Sequence, residues 1–275
     1  MNGPTLPVLA FATLAAAGGL ACVFAAAPDA EQGAAAPAGA AVVVELFTSQ
    51  GCSSCPPADR LLSELADDPD LAGRVLPLSF HVDYWDHIGW KDPFSSPRWS
   101  ARQRGYAEVL DGRVYTPEVV VAGRRGMVGS RRGEVKEAVR EALAAPPAAV
   151  VAIELGAAAD GRLAVTASAR ILSAGDGGQQ LWVALWQDGL VTEVGRGENG
   201  GRTLLNDRVV RWLVRAAELP GTVGATAEGR AVLHLDAAWP RRDLGVVAFV
   251  QDADRGAIHG AAGVRLASAS TAGAR

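Results

Sequence analysis

The alternation of apolar and polar positions changes in character about halfway along the chain. In the first half, apolar runs predict buried strands at residues 42–47 and 75–82, and the helical spacing of apolar residues predicts a helix at residues 60–66. Two more helices and a hairpin are predicted in the same half: residues 99–110, the strand pair 119–122 and 127–130, and residues 134–144. The predicted order of elements is therefore β-α-β-α-β-β-α.

The second half consists of short apolar runs without a helical pattern. Pro146 and Pro147 end the preceding helix and mark a boundary, because neither residue can continue a helix. Seven β-rich runs follow, separated by turns that contain Gly or Asp: residues 149–155, 163–171, 180–187, 208–214, 231–235, 245–251 and 257–266. Such a series predicts an antiparallel sandwich.

These patterns predict a fold of two domains, and 275 residues are enough for two cores. Residues 42–145 are expected to form an α/β thioredoxin-like domain, since β-α-β-α-β-β-α is the order found in thioredoxin. Residues 149–267 are expected to form an all-β, immunoglobulin-like sandwich domain. Residues 28–41, rich in Ala, Gly and Pro, predict a flexible linker, and residues 268–275 a tail.

The start of the chain predicts export. No charged side chain precedes Asp29, and an apolar stretch over residues 8–27 ends in small residues. This pattern favours a cleaved signal peptide over residues 1–27, and hence a location in the periplasm or outside the cell. The alternatives are an uncleaved membrane anchor and a lipid attached to Cys22. Contact with a membrane is expected only through such an anchor.

Composition and charge exclude some functions. With 49% hydrophobic and 20% charged residues, the chain has neither a disordered nor a fibrous composition. Its net charge of -4 provides no basic surface, so nucleic acid is not an expected partner. Once a signal peptide is removed, Cys52 and Cys55 are the only cysteines, so no framework of structural disulfides is expected.

The segment Cys52-Ser53-Ser54-Cys55 carries the predicted chemistry. It lies between a predicted strand and a predicted helix, where its spacing brings two sulfurs together at the exposed tip of the helix. Unpaired amides and the positive helix end favour a thiolate there, so Cys52 is the expected attacking thiol and Cys55 the resolving one. The alternatives are a permanent local disulfide and half of a zinc site, but no second Cys or Cys/His pair has zinc spacing.

Two further positions are expected to belong to the same site. Thr116-Pro117 stands before a predicted strand, and in thioredoxin-like folds such a bond is cis and lies beside the cysteines; an ordinary trans turn is the alternative. Glu45 interrupts an apolar strand before Cys52, and a buried carboxylate there could take the proton of Cys55. It could equally point to solvent or pair with an arginine.

An aromatic loop over residues 81–94 is the predicted substrate wall. Its side chains Tyr84, Trp85 and Trp90, together with Tyr115, could receive a partner next to the cysteines. The alternative is a long loop held in place by its own aromatic core.

The same loop contains residues that suit an alternative copper site. Imidazole and thiolate ligands bind copper, so His81 or His87, with Asp83 and Asp86 nearby, could join the two thiolates around the metal. Lone histidines are more often structural, however. The cofactor-like group expected at the site is therefore the disulfide itself, without a metal.

Long motifs make the chain resemble a known bacterial family. The segment from Glu45 through the two cysteines to Asp59, with residues 83–86 (Asp-Tyr-Trp-Asp) and 89–92 (Gly-Trp-Lys-Asp), resembles the secreted family catalogued as domain of unknown function 1223. Further matching segments are residues 95–97, 102–103, 115–117, 197–202 (Gly-Glu-Asn-Gly-Gly-Arg) and 209–211. The resemblance implies a thioredoxin-like fold with a β-rich extension, and it implies no established reaction.

Two classes of function remain. The first is an exported thiol-disulfide oxidoreductase, in which Cys52 attacks the disulfide of a protein or small-molecule partner and Cys55 releases that partner. The second is a binding protein. It could be a copper chaperone that uses both cysteines and a histidine, or a non-catalytic module that recruits a partner through its sandwich.

Overall fold

The structure, a computed structural model, describes residues 41–110, 112–175, 177–254 and 256–266. Its helices are α1 (Pro56–Asp67), α2 (Pro97–Val109) and α3 (Arg132–Ala144), with one turn of 3-10 helix at Arg241–Asp243. Its strands are β1 (Val42–Thr48), β2 (Val75–His81), β3 (Glu118–Val121), β4 (Arg125–Val128), β5 (Ala149–Ala159), β6 (Arg162–Ile171), β7 (Gly178–Gln187), β8 (Leu190–Glu193), β9 (Thr203–Asn206), β10 (Val209–Pro220), β11 (Thr226–His234), β12 (Leu244–Asp252) and β13 (Ile258–Arg265). Within these ranges, every helix is too short or too polar to cross a membrane.

Strands from both halves of the chain form one mixed sheet of eight. Its order is β13-β12-β7-β10-β2-β1-β3-β4. β1 pairs parallel to β2 and antiparallel to β3. The two halves join where β10 lies beside β2, with Val209 opposite Ser79 and the amide of Ser79 donating to the carbonyl of Arg208 at 2.8 Å.

The predicted fold class is therefore wrong. The first half does not complete an α/β thioredoxin-like fold by itself, because β10 pairs with the outer edge of β2 and continues its sheet. The second half is not an immunoglobulin-like sandwich, because β7, β10, β12 and β13 belong to the large sheet and β5, β6 and β11 form a separate sheet of three. An apolar run predicts that a strand exists, but it does not predict which edge that strand joins.

Alternation along β1 determines which helix packs on which face. Val44 and Leu46 contact α1 and α3 in one apolar cluster, whereas Val43 and Phe47 contact α2 in another. Successive side chains of a strand point to opposite faces, so each face of β1 is covered by helices. A third cluster fills the space between the three-stranded sheet and the second-half strands of the large sheet.

Several predictions concern the ends of the chain. The predicted signal peptide (residues 1–27) with Cys22, the linker up to residue 40 and the tail (residues 268–275) lie outside the described residues. The division into units at residues 42–145 and 149–267 stays a prediction.

Candidate functional site

The two cysteines close the turn between β1 and α1. Cys52 and Cys55 are joined by a disulfide with 5.5 Å between their Cα atoms, and Cys55 is the N-cap of α1. The amide of Cys55 donates to the carbonyl of Cys52 at 3.2 Å. Pro56 and Pro57 begin the helix, where a missing amide breaks no helical hydrogen bond. The structure therefore holds a disulfide at the predicted strand-to-helix junction.

The first turn of α1 does not offer the free amides that the sequence predicts. The helix begins with two prolines, which have no N–H group. The amides of Ala58 and Asp59 both donate to the carbonyl of Cys55, at 2.8 and 3.1 Å. The expected stabilisation of a Cys52 thiolate by unpaired helical amides is therefore wrong. The groups available to it are the helix dipole and the hydroxyl of Ser54, which lies 3.3 Å from Cys52 Sγ.

The disulfide is buried, although the residues between its cysteines are not. Cys52 and Cys55 are each 0% exposed, whereas Ser53 and Ser54 are exposed. The sequence predicts a pair at the exposed tip of a helix, and this expectation is also wrong. A segment from the second half of the chain covers the turn.

This cover is the hairpin of β8 and β9 with its connecting loop, residues 190–206, which we call the clasp. Asn199 in the loop is 0% exposed, and its side-chain amide donates to the carbonyls of Gln50 and Cys52, both at 2.9 Å. Glu198 accepts a hydrogen bond from the amide of Ser53 at 3.0 Å. The clasp thus binds the main chain on both sides of Gly51 and beyond Cys52, next to the buried disulfide.

Gln50 joins the clasp to the cysteine turn. Its side-chain amide donates to Thr192 at 3.0 Å and to Asn206 at 2.9 Å, and its side-chain oxygen accepts from the indole of Trp90 at 3.2 Å. Its backbone amide donates to Asp92 Oδ2 at 2.8 Å. Gln50 is 1% exposed, so these bonds satisfy a buried polar side chain and fix β8 and β9 beside the turn.

A buried polar cluster lies beneath the first turn of α1. Thr48 and His81 are opposite each other in β1 and β2, so their side chains point to the same face of the sheet, on which α1 packs. Thr48 Oγ1 donates to Asp59 Oδ1 at 2.8 Å, and His81 Nδ1 lies 2.7 Å from Asp92 Oδ2. This cluster is not predicted from the sequence. The signal that could have revealed it is the position of Asp59, four residues after Cys55 and therefore on the same helix face.

Burial and mutual charge shift the titration of this cluster. Burial raises the pKa of Asp59 to about 6, against the opposing effects of His81 and of the Thr48 hydrogen bond. Burial lowers the pKa of His81, but the charge and the hydrogen bond of Asp92 outweigh it and hold that pKa above its usual value. Burial likewise raises the pKa of Asp92, but His81 and two backbone amides outweigh it and hold that pKa below its usual value. These shifts favour a protonated His81 beside an ionised Asp92.

Glu45 lies on the opposite face of β1 from this cluster. It is 0% exposed, and Arg102 of α2 donates to its two carboxylate oxygens at 2.6 and 3.0 Å. Tyr106 donates to the same carboxylate, and Arg102 also donates to Gln251 of β12 at 3.0 Å. Glu45 therefore pairs with an arginine, which is one of the alternatives that the sequence allows.

An aromatic side chain connects the cysteine turn to the Thr116–Pro117 bond, which is cis as predicted. Thr116 Oγ1 accepts a hydrogen bond from the indole of Trp85 at 2.7 Å. The Cβ atom of Trp85 lies 3.2 Å from the point at which a side chain on Gly51 would begin. Trp85 therefore packs between the cysteine turn and Thr116, and Pro117 itself is buried.

The other predicted substrate-contact residues are engaged within the protein. The hydroxyl of Tyr84 donates to Gln103 at 3.1 Å, and Gln103 donates to the carbonyl of Tyr115 at 2.6 Å. The indole of Trp90 is held by Gln50. These three aromatic residues are half-buried, and their contact with a substrate stays a prediction.

The described residues contain no group of three or more His, Cys, Asp or Glu side chains that could hold a metal ion. The imidazole of His81 bonds Asp92, and His87 is exposed. The carboxylates of Asp83 and Asp86 accept hydrogen bonds from serine side chains. The copper site stays a prediction.

Solved structures and a family model match this chain. Protein AGR_C_4864 from Agrobacterium tumefaciens is 27% identical to it, with 85% of this chain and 97% of that chain covered and a TM-score of 0.60. HBP35 of Porphyromonas gingivalis shares its fold at 17% identity, with 86% and 79% covered and a TM-score of 0.59. No curated protein matches the sequence. The model described as "Protein of unknown function (DUF1223)" matches residues 43–251, so the chain belongs to the DUF1223 family.

Proposed function

We propose that the chain is a thiol-disulfide oxidoreductase whose reacting group is the Cys52–Cys55 disulfide. The observation that carries the proposal is the buried carboxyl of Asp59, one helical turn after Cys55, with a pKa raised to about 6. A permanent disulfide needs no titratable group beside it, and burial of a carboxyl opposes folding. A buried acid with a shifted pKa next to a redox pair is the arrangement expected of an acid-base catalyst.

The partner that we propose is a protein or small-molecule thiol or disulfide outside the cytoplasm. Export is supported by the apolar stretch over residues 8–27, and a disulfide persists in the oxidising compartments to which such a stretch directs a protein.

The exchange reaction uses both cysteines and Asp59. In the reduced form, the Cys52 thiolate attacks one sulfur of a partner disulfide, so that a Cys52–partner disulfide forms and the other partner sulfur leaves as a thiolate. Cys55 then transfers its proton to the Asp59 carboxylate, and its sulfur attacks that of Cys52. The internal disulfide forms, and the second partner sulfur leaves. Two electrons pass from the cysteines to the partner, and the proton on Asp59 passes to solvent.

Access to the sulfurs requires the clasp to open, because both cysteines are 0% exposed. Hydrogen bonds from Asn199, to Glu198 and from the side chain of Gln50 hold the clasp beside the cysteine turn. Each such bond contributes about 1 kcal/mol net, so local opening is accessible without global unfolding. The reactive state is therefore a minor open population of the folded protein.

The first prediction concerns Asp59→Asn in a full chain that carries Cys22→Ser. The reduced protein is mixed with the chromogenic disulfide dithiobis(nitrobenzoate), and nitrothiobenzoate is released first by Cys52 and then by Cys55. In the parent protein the second rate is expected to rise as the pH passes about 6, the pKa of Asp59. In Asp59→Asn that rise should be absent and the second rate at pH 7 about 100-fold lower, because the proton acceptor is gone.

Asp67→Asn is the matched control, since Asp67 is an exposed carboxylate at the other end of α1. It should preserve the parent pH profile. If Asp59→Asn also preserves that profile, Asp59 takes no proton from Cys55 and the proposal loses the observation that carries it.

A second prediction is that Asp59→Asn stabilises the oxidised protein at neutral pH. Because the folded pKa of Asp59 is raised from 3.8 to about 6, the native state binds more protons, and stability falls as the pH rises through that window. Each unit of difference is worth about 1.4 kcal/mol, so removal of the charge should add about 1 to 3 kcal/mol at pH 7. Urea unfolding at pH 4 and pH 7 measures this gain, which should disappear at the lower pH. An equal effect at both values would contradict it.

A further inference from the structure

His81 occupies a position for which the exchange steps above give no role. It ends β2 opposite Thr48 of β1, on the face covered by α1, and it is 1% exposed. Its Nδ1 atom bonds Asp92 Oδ2 at 2.7 Å. The side chain therefore lies in the same buried layer as Asp59, which Thr48 holds by a hydrogen bond.

Asp92 is arranged to remain a carboxylate. Besides His81, its Oδ2 atom accepts from the amide of Gln50 at 2.8 Å, and its Oδ1 atom accepts from the amide of Phe94 at 2.9 Å. Hydrogen bonds from backbone amides favour the ionised form of a carboxyl. A buried carboxylate in turn favours a cation at the imidazole it contacts, and the effect of His81 on Asp59 is larger than the opposing effect of Asp92.

The other nitrogen of His81 has no partner in the described part of the chain. Nε2 is buried and makes no hydrogen bond there. A buried polar atom without a partner opposes folding and requires an explanation, which a redox or catalytic role can provide. Stability of the fold alone therefore does not explain an imidazole at this position.

We propose that His81 is a positioning residue for proton transfer at Cys55: its imidazolium, held by Asp92, keeps Asp59 in the carboxylate form that accepts the thiol proton. The inference rests on the exchange function proposed above. Its physical basis is that an opposite charge nearby favours the ionised form of a buried acid.

The remaining charges near the cluster do not replace His81. Arg60 on α1 also favours the Asp59 carboxylate, but its effect is smaller than that of His81, and Asp92 opposes ionisation of Asp59. Arg211 on β10 disfavours the cation at His81, although Asp92 outweighs it. Without the imidazolium, burial and the charge of Asp92 would therefore act together to protonate Asp59.

The test is His81→Asn in the nitrothiobenzoate assay. Asparagine places an amide nitrogen near the position of Nδ1, so it can still donate to Asp92 while it removes the positive charge. The pH midpoint of the second release should move up from about 6 by one to two units, with a rate about 2- to 10-fold lower at pH 7. The rate at high pH should match that of the parent protein, since Asp59 is still present. His87→Asn, at the exposed histidine of the neighbouring loop, is the matched control and should keep the parent profile.

A midpoint unchanged by His81→Asn overturns the inference while the exchange function stands. A parent protein that releases no nitrothiobenzoate overturns both. A measurement on the parent protein covers the case in which His81→Asn does not fold: nuclear magnetic resonance of the imidazole nitrogens should show His81 protonated at pH 7. A neutral His81 imidazole at pH 7 overturns the inference by itself.

Discussion

Asn199→Ala is expected to raise the rate at which dithiothreitol reduces the Cys52–Cys55 disulfide by at least about 30-fold. Asn199 is 0% exposed, and its amide donates to the carbonyls of Gln50 and Cys52. The substitution removes both hydrogen bonds and leaves two carbonyls without these donors in the closed state. The closed state should lose roughly 2 to 4 kcal/mol relative to the open state, and each 1.4 kcal/mol is a factor of ten in the open population.

The rate is measured by quenching the reaction at intervals and labelling new thiols with a maleimide. Arg196→Ala is the matched control, because Arg196 is exposed in the same loop and its side chain does not hold the cysteine turn in the described structure. It should be reduced at the parent rate. Equal rates for Asn199→Ala and Arg196→Ala would mean that the clasp does not limit access to the disulfide.

The second large effect is expected at Glu45, and it should appear in stability rather than in exchange. Glu45→Gln leaves the buried guanidinium of Arg102 without its anion, and removal of one partner from a buried ion pair costs about 3 to 5 kcal/mol. Urea unfolding at pH 7 should show this loss. The pH profile of nitrothiobenzoate release should be unchanged, because Glu45 lies on the face of β1 opposite Thr48, Asp59 and the first turn of α1.

Glu64→Gln provides the comparison for Glu45. Glu64 pairs with Arg132 at the surface, where solvent screens the charges, so this variant should unfold at the parent urea concentration. If Glu45→Gln behaves in the same way as Glu64→Gln, the buried pair does not tie α2 to the sheet. If Glu45→Gln instead removes the rise in rate near pH 6, Glu45 is the proton acceptor and our assignment of Asp59 is wrong.

The sequence locates the strong elements of this fold better than their pairing. β2 and α3 have clear apolar periods and lie close to the predicted ranges. The strands β8 and β9 have only four residues each. Thr192 and Asn206 in these strands accept hydrogen bonds from Gln50 and do not pack in an apolar core. Nothing in their local pattern predicts a hairpin, which is why the cover of the disulfide is not predicted.

The sequence predicts the cysteine pair but not which acid lies beside it, as Glu45 and Asp59 illustrate. The sequence leaves Glu45 open between a buried acid near the disulfide and a residue that points to solvent or pairs with an arginine. Glu45 is buried, but the face to which it points depends on which helix covers which side of β1. Asp59 is recognisable only once the helix is known to begin at Pro56, which places it one turn after Cys55. The Gly-Glu-Asn-Gly-Gly-Arg motif at residues 197–202 is visible in the sequence. Its contact with Cys52, however, joins residues 147 positions apart in the chain, which a local pattern does not predict.

The reduction potential of the Cys52–Cys55 pair decides between a redox centre and a structural link. It is measured in a full chain with Cys22→Ser, equilibrated against glutathione buffers. If the pair is a reversible redox centre beneath an opening clasp, the potential should lie between about -270 and -120 mV, the range of proteins that exchange thiols and disulfides. A potential below about -300 mV, with the disulfide intact in every buffer, would show a permanent structural link and contradict the account.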